Sequence, residues 1–400
     1  MADSLFLSRN TKMFVKTPEA FKETSGAMIF EIPILEGFSV SQTDNSVEIT
    51  SSEATSVAVN GGAGALTQRG TKKLKTSTNP AEFSFQTYVR PYDTANAGAS
   101  ITSGNQTTAN KDTAVEMVLW ALMASATRLK DNGNYQNTAT LTAGGVANTT
   151  VVTNATGGTE VDFNQSKLPQ AFEGVELVFQ VNELDASTTT QYTITDMVIN
   201  EATVDFDIEG IATISWSGMG KSLTVTSDAA ALTPTVNEKL NTASFIQNKV
   251  SSVVVDPGPS LNGGAAYSVV LTGGSVTFTN NVTFITPDTL HAIDSPFTHQ
   301  LGSLGVTGNL TCYLEAGNNK SLELFTDLLS SSNDVENVAV NISVGGTAGP
   351  CIQFNLDHCH LDVPTTNFED VVSLDVPFTA LGDASNLENP PAAKVKYIAG

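Results

Sequence analysis

Apolar and polar residues alternate one for one along much of the chain. Val204, Phe206 and Ile208 interleave with Asp205, Asp207 and Glu209, so a strand here carries apolar side chains on one face and carboxylates on the other. Phe83, Phe85, Thr87 and Val89 alternate with Glu82, Ser84, Gln86 and Tyr88. Phe38, Val40, Val47 and Ile49 interleave with Ser39, Ser41, Ser46 and Glu48. Glycine- and asparagine-rich breaks at 60–62, 156–158, 262–264 and 345–346 separate such runs. The pattern predicts an all-β sandwich or barrel. Helical spacing is confined to two stretches. In 112–130, Val115, Val118, Leu119 and Leu122 share a stripe; in 321–329, Leu322, Phe325 and Leu329 share a face.

The order of elements recurs. Two alternating runs around an asparagine-containing turn fill 37–49 and again 274–285, and each reads as a hairpin. A strand followed by a helix comes next in both halves, first 81–89 with 112–130, then 306–314 with 321–329. Finally, Ile208 to Trp216 matches Phe368 to Val376 at a constant offset of 160. The expectation is two related β-sandwich or barrel domains in tandem, each with a flanking helix. Residues 1–27 form an N-terminal arm, 28–222 the first domain with an insertion-like region at 132–167, 223–244 a linker, 245–390 the second domain and 391–400 a tail.

Charge narrows the classes. The chain has 41 acidic and 19 basic residues, a net charge of −22, yet only 15% of its residues are charged. Such a balance argues against a protein that wraps nucleic acid, because phosphate contacts need clustered Lys and Arg. At 40% hydrophobic residues there is material for a core. No run approaches the ~20 apolar residues of a membrane span. Residues 1–10 lack the basic start and apolar run of a signal peptide, so synthesis in a cytoplasm is expected. Three cysteines, Cys312, Cys351 and Cys359, make no disulfide framework.

Catalytic and metal chemistry find little footing. Asp357-His358-Cys359-His360 has zinc-ligand residue types, but in a strand the two histidines face one way and the cysteine the other. His291 and His299 form no second cluster. Buried, inert cysteines are the expectation. No phosphate-binding loop occurs, and neither cofactor, metal nor enzymatic activity is predicted. Asp205, Asp207 and Glu209 could hold a cation but read as a solvated face. Arg69, Lys72, Lys73 and Lys75 form the one basic cluster, a candidate loop for touching an acidic surface of a neighbouring subunit. Trp120 and Trp216 read as core.

Several segments resemble bacteriophage tail tube proteins. The start, Asn10-Thr11-Lys12-Met13-Phe14-Val15 and then 31–39, is similar to the opening of that family. Residues 80–92 resemble its strand before the helix, 202–218 its long paired strands, and 307–314 the equivalent in the second half. The resemblance spans about 10–390; segments 60–65 and 132–167 match nothing in it. It implies a non-enzymatic structural protein of the virion tail. Inner sheets would join edge to edge into a ring, rings would stack into a hollow tube, and double-stranded DNA would pass through without specific binding. With a duplicated domain, three chains would make a pseudo-six-fold ring; a true hexamer is the alternative. Other tail proteins such as tape measure, terminator and sheath would be partners. A capsid-decoration or adhesin-type β protein is the competing class. Asp205, Asp207, Glu209 and Glu369 are the candidate lumen-facing residues, and the basic cluster the candidate inter-ring contact.

Overall fold

A computed structural model describes residues 6–21, 27–49, 55–59, 62–66, 72–90, 114–130, 134–138, 149–155, 158–165, 174–183, 189–208, 210–235, 245–258, 264–285, 296–330, 338–346, 350–368, 370–382 and 390–398. Seventeen strands share one hydrogen-bonded network, curled barrel-fashion around the core. Its spine is eight antiparallel strands side by side: Ser39–Ser41, Ala81–Tyr88, Thr213–Gly220, Val198–Asp207, Leu271–Thr279, Gly305–Tyr313, Ser373–Ala380 and Thr365–Asn367. The first four belong to one half of the chain and the last four to the other. Within each four, the spatial order is first, second, fourth, third in chain order. The pairings do not return on themselves: among the described strands, Ser39–Ser41 and Thr365–Asn367 each have a neighbour on one side only.

Alternation explains the burial. Ala81–Tyr88 and Thr213–Gly220 bury every second residue, as the period of two requires. Trp216 stands opposite Phe85, and its indole meets Trp120 edge-on at 4.8 Å between ring centroids. Trp120 reaches Phe278 of the second half at 5.3 Å, so one aromatic cluster spans both sets of four strands. Both indole N–H groups find partners, Trp216 in the Thr87 hydroxyl and Trp120 in the Tyr397 hydroxyl, each at 3.0 Å.

The two halves solve one packing problem with the roles exchanged. Phe83 lies opposite Gly218, and a Cβ at Gly218 would stand 2.5 Å from the Phe83 ring. In the second half, Phe378 lies opposite Gly308, and a Cβ at Gly308 would stand 2.2 Å from the Phe378 ring. Ring and glycine swap strands between the two sets, and in each a Cβ at the glycine would collide with the ring across from it.

A further sheet carries Ser222–Ala229, Thr189–Thr195, Glu176–Glu183, Phe6–Lys16 and Ile29–Ile32, in that order. Part of the segment read as an N-terminal arm is thus an internal strand, and the segment read as a linker begins as an edge strand. Residues 236–244 of that linker lie outside the described residues. Within 132–167, Thr149–Ala155 and Gly158–Asp162 form a hairpin whose Val151, Val152 and Val161 are buried. That hairpin pairs with Ala393–Ile398 from the segment read as a tail, which also pairs with Cys351–Leu361.

Three local expectations differ. The first helix is Met117–Met123, shorter than 112–130. All seven of its residues are buried, Ser125 takes a positive φ of 65°, and Arg128–Leu129 leaves as a strand against Tyr135–Asn137. The second helix is Ser321–Leu329 as expected, but it buries Ser321, Leu324 and Leu328, while Leu322 and Leu329 are exposed. The Ser321 hydroxyl sets that rotation by donating to the Tyr313 carbonyl and accepting from the Glu315 N–H, at 2.6 and 2.7 Å. Neither expected hairpin forms. Asp44–Ile49 pairs with Lys72–Thr78, and Thr283–Ile285 with Thr298–Gln300. Alternation selects the buried face of a strand but not the strand beside it.

Candidate functional site

The eight-strand spine carries a polar face on the side away from the core. Its cross-strand rows run perpendicular to the strands. One row is Gln86, Ser215, Thr203, Thr277, Thr307 and Thr379. The next is Tyr88, Thr213, Asp205, Ser275, Asn309 and Pro377. Short side chains bond across the rows: Gln86 to Ser215 at 3.0 Å, Thr203 to Thr277 at 3.0 Å, Ser39 to Ser84 at 2.7 Å. Such pairs hold the register and leave a surface of hydroxyls and amides.

The charge on this face has one sign. Glu82, Glu201, Asp205, Asp207 and Asp375 all lie on it, and the eight strands contain no Lys, Arg or His. Asp375 is held by two donors at 2.7 Å, the Thr311 hydroxyl and the Asn367 amide. Asp205 and Asp207 are exposed, side by side on the polar edge of their strand. Partial burial, and then the neighbouring Asp207 charge, push the Asp205 carboxyl above its ordinary value. Glu209 and Glu369, expected on this face, lie outside the described residues. Glu82, Glu201 and Asp375 were not singled out from the sequence. Their alternation was visible, but that their strands share one sheet was not.

The second-half counterparts of these acids follow from the ladders. Asp205 stands opposite Thr213, and Asn367 opposite Ser373, at equivalent points of the two sets. The corresponding pairs are Thr203 with Thr365 and Asp205 with Asn367, two residues away from a match at the 160 offset.

The basic cluster sits elsewhere. Lys72, Lys73 and Lys75 lie in a strand of a two-stranded ribbon rather than a loop, and Arg69 lies outside the described residues. Lys75 makes an ion pair with Asp44 at 2.9 Å, and Lys73 is exposed opposite Glu48. Val47 and Leu74 face each other on the same ribbon, and both are more than half exposed.

The Cys359 side chain is fully buried, and His358 and His360 are half-buried. Burial pushes the Cys359 thiol up to about 12 and the Cys312 thiol up to about 11, so both stay protonated at neutral pH. Among the described residues, no group of three His, Cys, Asp or Glu side chains could hold a metal ion. One buried carboxylate stands apart from the polar face. Glu116 accepts from the Tyr397 hydroxyl at 2.8 Å and the Arg90 backbone N–H at 3.2 Å. Burial pushes it up to about 7 despite those bonds.

A family model described as phage tail tube protein matches residues 138–380, more than half of the chain. The chain belongs to that family. The tail tube assignment is supported by similarity to the tail tube protein pb6 of Escherichia phage T5. The two are 27% identical over 387 residues, covering 94% of this chain and 73% of the relative. A tail tube protein is a structural component of a phage, and the β-rich fold described above is the form it takes here. The family match includes the 149–162 hairpin, which lies inside the region that had resembled nothing.

Proposed function

We propose that the chain polymerises as stacked rings into the hollow tail tube, with the polar face of the eight-strand spine lining the channel for double-stranded DNA. The observation that carries this reading is the one-signed charge of that face: five carboxylates and no basic side chain across eight strands. DNA must slide past its conduit without being held. Lys or Arg on the wall would bind phosphate with release of counterions and retard passage, whereas carboxylates and hydroxyls repel or merely hydrate it. The apolar back of the same strands is already used by the core, so the polar face is free to meet water.

The recurrence of four strands in one spatial order, with the exchanged Phe83–Gly218 and Gly308–Phe378 pairs, supports a duplicated unit. A duplicated unit makes three chains equivalent to six, so a trimeric ring with pseudo-six-fold symmetry is the preferred assembly and a hexamer the alternative. In this reading the chain works in the virion tail beside tape measure, terminator and sheath components, and it catalyses nothing. A symmetry-resolved reconstruction of purified assemblies tests it. Three chains per ring with Asp205 and Asp207 toward the channel is the expected result. Six chains per ring would overturn the trimer, and an outward-facing spine would overturn the lining.

A further inference from the structure

The joint between the two halves of one chain is a template for the joint between two chains. Inside the chain, Val198–Asp207, the third strand of the first set, pairs with Leu271–Thr279, the first strand of the second set. Asp205 stands opposite Ser275 and Phe206 opposite Gly274. The two ends of the eight-strand spine, each with a neighbour on one side only among the described strands, are the remaining members of these same classes: Ser39–Ser41, a first strand, and Thr365–Asn367, a third strand.

The residue correspondence follows from the ladders. Phe83 and Gly308 occupy equivalent places, so Ser84 corresponds to Asn309. Ser39 stands opposite Ser84 and Ser275 opposite Asn309, which makes Ser39 the counterpart of Ser275. On the other edge Asn367 is the counterpart of Asp205, as shown above. The residue after each is a phenylalanine, Phe206 in one case and Phe368 in the other.

Those two phenylalanines differ in cover. Phe206 is 4% exposed, and its ring packs so closely on Gly274 that a Cβ there would stand 2.7 Å away. Phe368 is 82% exposed, and Val371, which lines the same surface hollow, is also more than half exposed. Equivalent positions with such unequal cover point to a missing partner strand. Unpaired edges are pairing templates, and these two edges are different from one another, so a contact between them is heterologous and can close a ring.

We propose that Thr365–Asn367 of one copy pairs antiparallel with Ser39–Ser41 of a second copy, with Asn367 opposite Ser39, and that Phe368 is buried at this joint. The inference rests on the ring reading and gives it a residue-level contact. In the second copy the place of Gly274 is taken by Phe38, which is half-buried and stacked on Phe179 at 5.2 Å. Phe368 therefore meets an aromatic ring at the joint between chains where Phe206 meets a glycine within one.

The test uses full-length protein carrying Ser39→Cys and Asn367→Cys, assembled and then oxidised. Opposed residues of antiparallel strands have Cα atoms about 4.5–5.5 Å apart, within disulfide range. The native cysteines are buried and contribute little background. Covalent two- and three-chain species on a non-reducing gel are expected, and at least about five-fold less product from Ser41→Cys with Asn367→Cys, since that pair is displaced along the ladder. Phe368→Asp is expected to raise the concentration needed for assembly at least about ten-fold, with the melting temperature of the monomer unchanged. Assemblies of the cysteine variants that crosslink only through the displaced Ser41→Cys and Asn367→Cys pair would overturn the register, and normal assembly of Phe368→Asp would overturn the anchor. Wild-type chains that never associate would overturn the ring reading, and this joint with it.

Discussion

Glu116 shows how far one buried group can govern stability. Its carboxyl has hydrogen-bond partners, but burial outweighs them and holds it near 7, against an ordinary 4.5. The folded chain therefore binds this proton more tightly than the unfolded chain does. The stability it contributes is fully present below about pH 4.5 and is lost as pH rises toward about 7. The loss is on the order of 3 kcal/mol. Glu116→Gln should remove this slope and raise the urea midpoint at pH 8 relative to wild type, with little gain at pH 4. An identical pH dependence in the two proteins would sink the assignment. The wider lesson at this scale is that Tyr397, three residues from the end of the chain, bridges Glu116 and Trp120. The sequence offers an alternating run there, with nothing to reveal its partners.

At the scale of elements, the ribbon formed by Asp44–Ile49 and Lys72–Thr78 is set apart from the spine. Its lysines alternate with Leu74, and its exposed Val47–Leu74 pair gives it an apolar spot amid charge. Such a mixture suits contact with an acidic neighbour, with the apolar pair desolvated and the lysines steering. Lys73→Glu with Lys75→Glu should leave monomer stability within about 1 kcal/mol, because exposed ion pairs contribute little. Tubes should shorten and dissociate at lower salt. Unchanged tube length and salt resistance would remove the contact role. The helix Ser321–Leu329 carries another lesson. Its limits were legible from apolar spacing, but its rotation was set by one serine hydroxyl bonded to a neighbouring turn. Of the stripe Leu322, Phe325 and Leu329, Phe325 packs against the core beside Leu324 and Leu328, while Leu322 and Leu329 are exposed.

At the scale of the whole molecule, the role proposed for the acidic face is in the passage of DNA rather than in folding. Asp205→Lys with Asp207→Lys replaces two exposed carboxylates on a strand whose opposite face packs the core. The strand should form and tubes should assemble. DNA release from particles built with this variant should slow, most strongly at low salt where phosphate attraction is least screened. Release at the wild-type rate in low salt would show that the wall charge does not act on DNA.

The strand faces were determined by the sequence alone. Period-two alternation at 81–88 and 202–207 fixed which side chains would be buried, because a regular strand cannot present neighbouring residues to the same side. The low charge content, the acidic excess and the family resemblance were equally legible. Partnership between strands was decided only by the tertiary structure. Asp44–Ile49 lies beside a lysine-rich strand, Val198–Asp207 joins the two halves, and Gly158–Asp162 meets the last strand of the chain. The reason is physical. Alternation is a local property of one strand, whereas a ladder is chosen by the fit of distant side chains, such as a phenylalanine ring that needs a glycine across from it. Asp205 and Asp207 could be read as a polar edge from their own neighbours. That Glu82, Glu201 and Asp375 join them on one surface depended on strands from across the chain coming side by side.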